Sequence, residues 1–497
     1  MHPTPLLVDS GFLNSFTGSL PLAIATLDYW HLSTVETGNL SMLLHFLVRD
    51  LEGGQGSARF GEDDWRLVDH DLSTSDVEDV PFTCISYTWG AGREPSPFFS
   101  SFNISDRTIP AVNALVSHRP SCARIWVDAF CVPIATPERN HTLESMGYIY
   151  SQAKEVIVVL SSAARSVLAQ MSTSDHIRTE HLDILEKEDW ISRAWTYQEA
   201  VNSRCLFITC EGPDSAIVDG SHFLDCLGYT LSRLEGTASA TYKRQQYPRL
   251  DAFEDLIADY MIAGFGERSA LQVMANMDRR CAHFAQDLFY AMMGAISTAP
   301  SSFDGAVDPC EAFMSICERK GDYSFIYSTS KRDPSPGKRW RPASGGLLRS
   351  ILSWHCFGAG QPAHEESGSL YLDQVIVFDV QPIEERGIGF IKHWLAVQKL
   401  GVTCSSQLEV SAHAALEVMG FIGSGNCLST THGFFFPAEM IVPDEGLTVL
   451  VATGVRWTFG APGLACRGGG GGDAESYIPG IFFGQVDDAA ATSVKIS

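Results

Sequence analysis

Positive charge is scarce in this chain. Its 497 residues include 35 Lys and Arg against 59 Asp and Glu, a formal net charge of −24. Nucleic acids and anionic membranes are bound through basic patches, so general affinity for either is excluded, though a local basic pocket for a phosphate-bearing small molecule is not. Long apolar runs are also missing. No stretch of about 18 apolar residues occurs, the length a bilayer-spanning helix needs, and Leu20–Leu27 is far shorter. No basic segment leading into a long apolar run opens the chain, so no secretory signal is expected. These absences make a cytoplasmic protein without a membrane span the expectation.

Several catalytic signatures are absent too. There is no Walker loop, GxGxxG fingerprint or HExxH, and no GxSxG elbow. Gly264-Phe-Gly266 lacks both the third glycine and a preceding strand. The 13 cysteines are an odd number. Cys205 with Cys210, and Cys310 with Cys317, have no second pair at zinc-ligand spacing, and reduced buried thiols account for them. Asn39, Asn103 and Asn140 fit the glycosylation pattern, which means little without a secretory signal. The 15 histidines are scattered. No metal, cofactor or internal repeat is expected.

What is present is enough apolar residue, 45%, to bury sizeable cores. The length implies two or three domains. Residues 1–42 are weakly patterned and read as an extension. The run Leu43–Leu51 is apolar-rich and precedes the turn signal Glu52-Gly-Gly. Trp65–Asp69 reads as a short strand, and Ser73–Val80 as a polar connection. Phe82–Tyr87 is a compact β-prone run closed by Thr88-Trp-Gly90. A loop over 91–104 and a helix over Pro110–His118 follow. Arg124–Asp128 reads as a strand with Asp128 at its C-terminal end, Glu138–Ala153 as a helix, and Glu155–Leu160 as a strand ended by Ser161-Ser162. One or two helices fill 163–188. A helix over Trp190–Ala200 and a strand over Arg204–Thr209 complete the alternation. Short apolar strands alternating with helices imply an α/β fold, a doubly wound parallel sheet over 43–215, with ligands outside the C-terminal strand ends.

Residues 216–335 read as helical, with helices at Ala252–Ile262, Asp287–Ile296 and 311–319. Residues 336–497 read as a β-rich region, with strands at Leu370–Val380, Phe434–Phe436, Leu447–Val455 and Ile478–Gln485. A glycine run, Gly468–Gly472, forms a flexible loop after Arg467.

Chemistry centres on the Trp190–Ala200 helix. Helical spacing puts Trp195, Gln198 and Glu199 on one face, beside an apolar stripe of Ala194, Tyr197 and Val201. Glu199 can reach the edge to which the strands deliver Tyr87–Gly90, Asp128 and Ser161-Ser162. It is the candidate catalytic carboxylate; the competing reading is an ion pair with a nearby arginine.

These segments resemble a known family, the fungal heterokaryon incompatibility (HET) domain, through blocks in the same order. They are Phe82-Thr-Cys-Ile-Ser-Tyr-Thr-Trp-Gly90, Ile125-Trp-Val-Asp-Ala-Phe-Cys131, the helix carrying Glu138-Arg139, Met146 and Ile149-Tyr150, then Arg193-Ala-Trp-Thr-Tyr-Gln-Glu199 and Asp287-Leu-Phe-Tyr-Ala-Met-Met-Gly294. Thr430-Thr-His-Gly433 and Ile478-Pro-Gly-Ile-Phe-Phe-Gly484 are looser matches. The chain departs from the family at Val132-Pro-Ile134, where Ile-Asn-Gln is usual, and at Thr142-Leu143. The same blocks are similar to a divergent TIR domain: Cys84-Ile-Ser-Tyr87 to its first strand, Val156–Ser161 to its third, and Trp195-x-x-x-Glu199 to the helix whose Glu is catalytic when the substrate is NAD.

The resemblance implies a TIR-like or flavodoxin-like sheet and a role in self/non-self recognition and programmed cell death. It also implies NAD as substrate of a glycohydrolase with Glu199 catalytic. Ser86, Tyr87, Trp89, Gly90, Asp128, Arg139, Arg193 and Trp195 would bind the substrate, the two tryptophans walling the ribose or nicotinamide and the arginines pairing with pyrophosphate. Core packing of Trp89 and Trp195, and ion pairs of the arginines with Asp128 or Glu199, are the structural alternatives. A different reading of the whole chain is a non-enzymatic module that self-associates or binds an incompatibility partner. A third is another small-molecule reaction in the same cleft.

Overall fold

The computed structural model describes residues 43–496 apart from 51–55, 72–79, 238–239, 262–267, 301–302, 304, 367–368, 399, 401, 403–404, 443–445, 468–475 and 487–488. The expected extension over 1–42, the Glu52-Gly-Gly turn, nearly all of the Ser73–Val80 connection and the Gly468–Gly472 loop lie outside the described residues.

The N-terminal strands are β1 (Leu43–Asp50), β2 (Ala58–Phe60), β3 (Asp63–Asp71), β4 (Thr83–Tyr87), β5 (Arg93–Pro95), β6 (Asn103–Ser105), β7 (Arg124–Trp126), β8 (Glu155–Leu160), β9 (Leu206–Cys210) and β10 (Val218–Asp219). One sheet has the order β10-β9-β8-β4-β7-β1-β3-β2. Every residue of β4 and β8 is buried. Such near-continuous apolar runs suit parallel strands covered on both faces, and β7, β4, β8 and β9 are parallel to one another.

A fully parallel sheet is what the strand–helix alternation suggests, and the sheet is instead mixed. β1 runs antiparallel to β7 and to β3, β2 pairs antiparallel with β3, and β10 pairs antiparallel with β9. The physical reason is connection length. β2 and β3 are separated only by Gly61 and Glu62, too short a link for a parallel crossover. The run Leu43–Asp50 is a strand, and the stretch 91–104 holds most of the small β5–β6 ladder rather than being only loop.

The helices of this half are α1 (Thr108–His118), α2 (Asp128–Cys131), α3 (Glu138–Glu144), α4 (Met146–Gln152), α5 (Arg165–Met171), α6 (Thr179–Leu185), α7 (Asp189–Ser192) and α8 (Ala194–Val201). Two helices expected to be continuous are broken. Glu138–Ala153 divides at Ser145. Trp190–Ala200 divides at Arg193, whose backbone is extended (φ −74°, ψ 143°). The second break is imposed from outside: Cys281 N–H donates to Ser192 O (2.7 Å) and Ala194 N–H donates to Cys281 O (3.0 Å).

Helices α9 (Gly220–Thr237), α10 (Ala240–Gln246), α11 (Pro248–Met261), α12 (Ala270–Met277), α13 (Ala285–Ile296) and α14 (Pro309–Lys320) follow. They hold the face of α8 that points away from the sheet. Tyr197 OH donates to Asp259 Oδ2 (2.5 Å), and Asp259 also accepts from Gln272, Asn276 (3.0 Å) and His355 (3.2 Å). Burial works against the Asp259 charge, yet His355, Tyr197 and Arg268 keep its carboxyl below the usual range.

Downstream lies an antiparallel sheet, β11 (Ala363–Glu366), β12 (Ser369–Asp379), β13 (Leu428–Thr430), β14 (Gly433–Pro437), β15 (Leu447–Ala452), β16 (Gly460–Arg467), β17 (Ser476–Gly484) and β18 (Thr492–Ile496). Its order is β11-β12-β15-β16-β17-β14-β13, with β18 on β12. The region also contains α15 (Glu385–Val397) and α16 (Leu408–Val418), so it is not purely β. The Phe435 ring lies over Gly480, where a Cβ would come within 2.2 Å of it, so the glycine makes room for an aromatic. The described residues from 43 on form one compact unit; one apolar core runs from β1 to β18, and a second, around Phe435 and Phe482, lies within the C-terminal sheet.

Helix α4 crosses α13 at a pair of glycines. A Cβ on Gly147 would fall 2.3 Å from Gly294 O and 2.5 Å from its Cα, so the backbones are in direct contact. Gly147→Ala should therefore lower the unfolding free energy by about 1–3 kcal/mol, the range for overpacking. Helix propensity alone would instead raise it by up to about 1 kcal/mol. Denaturant unfolding of the two proteins distinguishes the signs.

Candidate functional site

Among the parallel strands, β4 comes first in the chain, β7 is added on one side of it, and β8 and β9 on the other. The direction of growth reverses between β4 and β8, and open sheets form their crevices outside the strand ends at such a reversal. Helix α8 lies against β4 there. Glu199 is 6% exposed, and its Oε2 accepts a 2.5 Å hydrogen bond from Ser86 Oγ of β4. Ser86 Oγ itself accepts from the Trp190 indole N–H at 2.8 Å. Tyr150, on α4, is also hydrogen-bonded to Glu199 and donates a long 3.2 Å bond to Ile85 O.

A second cluster sits beside the first. Asp128 Oδ2 accepts from Trp89 Nε1 (2.8 Å), and Oδ1 accepts from Ala129 N–H (2.7 Å). Tyr87 OH lies 2.8 Å from Thr108 Oγ1 and is also bonded to Asp128. Asp128 does not end the strand. It is the first residue of α2, two positions beyond the end of β7. Arg93 lies over the Trp89 ring at 5.4 Å.

Electrostatics tie the clusters together. Burial raises Glu199 to about 8. Ser86 opposes that shift, the Asp128 charge adds to it, and Arg193 and Tyr150 oppose it. Burial also raises Asp128, against the hydrogen bonds from Trp89, Tyr87 and Ala129 and the charge of Arg193. The Arg193 guanidinium thus acts on both carboxyls, and on Asp287 as well.

The other residues singled out from sequence are placed differently. Trp195 stacks on Tyr290 of α13 (6.1 Å, 14°) and bonds to Asp287. Arg139 is exposed, with its charge near Asp287 and Tyr290. Gly90 N–H donates to Ser105 Oγ (3.1 Å). Gln198 is wholly buried, and its side-chain oxygen would lie 1.4 Å from a Cβ on Gly294, so it shares less of the Glu199 environment than helical spacing suggests. Ser161 is engaged elsewhere: its N–H and Oγ donate to Glu188 Oε2 at 3.1 and 2.7 Å.

Sequence reasoning missed Tyr150 and Trp190 as partners of this site, and Glu188 and Arg107 at the strand ends. Arg107 reaches Thr88 and Glu211 (2.5 Å) and lies 4.0 Å from Glu188. For Tyr150 and Trp190 a signal existed, since a buried phenol or indole needs a hydrogen-bond partner for its polar atom.

The Glu199 carboxyl has a reference value of 4.5 when exposed and about 8 in the fold. Between those values the folded state holds its proton more tightly than the unfolded chain. Its stabilisation is therefore complete below 4.5 and is lost as pH rises through about 8. At about 1.4 kcal/mol per unit, the loss is on the order of a few kcal/mol. Wild type should lose stability relative to Glu199→Gln between pH 5 and 8.5 in denaturant unfolding. Parallel profiles would contradict the buried-acid assignment.

Residues 82–189 match the family model described as heterokaryon incompatibility protein (HET). No curated protein and no solved structure matches the chain. The matched segment runs from the start of β4 into α7 and holds Ser86, Tyr87, Trp89, Gly90, Asp128 and Arg139, while Arg193, Trp195 and Glu199 follow its end. No helix among the described residues is long and apolar enough to cross a membrane. Over residues 82–189 the chain is thus similar to the heterokaryon incompatibility (HET) family.

Proposed function

We propose that this HET-domain protein acts in fungal self/non-self recognition and programmed cell death by hydrolysing NAD, with Glu199 as the working carboxylate of a TIR-like site. The observation that carries the reading is the position of Glu199. Its carboxyl is packed on β4 where strand order reverses, with Asp128 and Arg193 close enough to shift it. The strand order β7-β4-β8-β9, second-first-third-fourth in the chain, is also that of flavodoxin-like sheets.

The chemistry needs little more. When the C1′–N bond of NAD breaks, its electron pair goes to the ring nitrogen, and nicotinamide leaves neutral without needing a proton. The ribose becomes oxocarbenium-like, as in glycoside hydrolysis. An ionised Glu199 stabilises that cation and orients the ribose hydroxyls. Water adds to C1′ and releases one proton, giving ADP-ribose. Trp89 and Asp128 line the approach, and Arg193 carries charge suited to a pyrophosphate oxygen. Glu199 is buried at rest, so the active site forms by opening, with the extended Arg193 between α7 and α8 as the hinge, on self-association or on binding an incompatibility partner. In this scheme 43–215 is the catalytic body, 216–335 its support and 336–497 the sensing region.

A second reading has one observation in its favour. The Glu199 hydrogen bonds are those of a satisfied buried acid, which fits a signalling module with no chemistry. Purified protein, dilute and crosslinked, should release nicotinamide from NAD. Glu199→Gln should reduce that at least a hundredfold while unfolding at a similar denaturant concentration. No turnover in any assembled state, or full turnover by the variant, favours the module.

A further inference from the structure

From Asp189 to Val201 the sequence has no glycine or proline, so nothing local prevents one unbroken helix. The chain nevertheless breaks it at Arg193. In an unbroken helix the carbonyls of Trp190, Ile191 and Ser192 would accept from the amides of Ala194, Trp195 and Thr196, each four residues on. Each carbonyl has a substitute partner instead. The Thr196 hydroxyl lies 2.7 Å from Trp190 O. Arg280 Nη1 donates to Ile191 O at 3.4 Å, and the Cys281 N–H donates to Ser192 O at 2.7 Å. The Ala194 amide is drawn off to Cys281 O at 3.0 Å. Residues 280 and 281 thus supply most of the bonds that keep the two helices apart.

This contact is firm at one end and loose at the other. Arg279 is anchored on α11, where Nη1 donates to Asp251 (2.8 Å) and Nη2 to Asp255. Arg280 is 7% exposed, with its guanidinium 5.1 Å from the Tyr197 ring. Its bonds to Ile191 O and Arg193 O are long, at 3.4 and 3.3 Å. Its buried Nε and Nη2 have no hydrogen-bond partner among the described residues. A buried donor left unmet is costly, so the broken form competes closely with the continuous helix that the local sequence allows. The contact can also be reached from outside, since Cys281 is exposed and Phe284, three residues on, is 54% exposed.

We propose that Arg279–Cys281 is a clip that holds residues 189–201 as two helices, and that its release joins α7 and α8 into one. The joined helix takes a new direction from Arg193 onward, which carries Glu199 away from Ser86. The clip is therefore an autoinhibitory contact on the helix that bears Glu199. This rests on the reading in which that site works by opening. It deepens the reading by naming the two states of a bistable element and the segment that selects between them.

Single-residue hydrogen exchange on the full chain tests the clip without NAD, so its failure is separate from failure of the hydrolase reading. The amides of Trp195 and Thr196 lie in the first turn of α8 and have no acceptor within it. In the joined helix they gain Ile191 O and Ser192 O, while the Cys281 amide loses Ser192 O. Arg280→Met should therefore speed exchange at Cys281 about tenfold and slow it at Trp195 and Thr196 by a similar factor, the scale of one hydrogen bond from a charged group. Thr196→Val removes the substitute partner of Trp190 O, should shift the same amides in the same directions, and serves where Arg280→Met fails to fold. A folded variant in which Trp195 and Thr196 exchange as fast as in wild type or faster, or in which Cys281 is unchanged, overturns the proposal.

Discussion

The hydrogen bond from Ser86 to Glu199 is where the two halves of the site meet. It joins a fully buried strand of the sheet to a helix fixed on its other side by the Tyr197–Asp259 contact. A carboxyl can occupy this position because it is held neutral, since burying an unpaired carboxylate would be far more costly. Burial and the neighbouring Asp128 favour the proton on Glu199, while the Ser86 hydroxyl, itself held by the Trp190 indole, opposes that shift.

The helical layer turns that local constraint into a larger one. Helix α8 is gripped by Asp259 and His355 behind it, by Cys281 at its first turn, and by α13 along its side, where Asn202 Nδ2 donates to Gly294 O at 2.6 Å. His355 belongs to the segment leading into the C-terminal sheet. A contact on that region thus has a short physical route to the helix that carries Glu199. Burial opposes the His355 charge, but its bond to Asp259 raises it above the ordinary histidine range, and Asp259 is lowered in return. As pH rises, the protonated His355 and the protonated Glu199 both lose their stabilisation, whereas Asp259 loses its own only as pH falls.

Much of this was legible in the residues, and what was not has physical causes. Thr83–Tyr87 and Glu155–Leu160 declare themselves because unbroken apolar runs fit only strands covered on both faces. The antiparallel flank was harder: Leu43–Asp50 is apolar-rich without strict alternation, and its partner β3 is acidic. β16, Gly-Ala-Pro-Gly-Leu-Ala-Cys-Arg, has poor strand propensity and is held by the packing of its neighbours. The break at Arg193 leaves no local mark, because the backbone bonds that impose it come from Cys281. In the site, Ser86 and Glu199 could be named from their blocks, but their direct contact could not. Tyr150 and Trp190 sat at apolar positions of their helices, which hid their polar atoms.

The central proposal is that a dinucleotide is bound and cut at the strand ends beside Glu199. A structure of the Glu199→Gln variant determined with NAD present tests it most directly. The account predicts the nicotinamide ribose within hydrogen-bond distance of residue 199, with Ser86 released and the segment around Arg193 displaced. A dinucleotide bound away from the ends of β4 and β8, or absent from a crevice that stays closed, would contradict it.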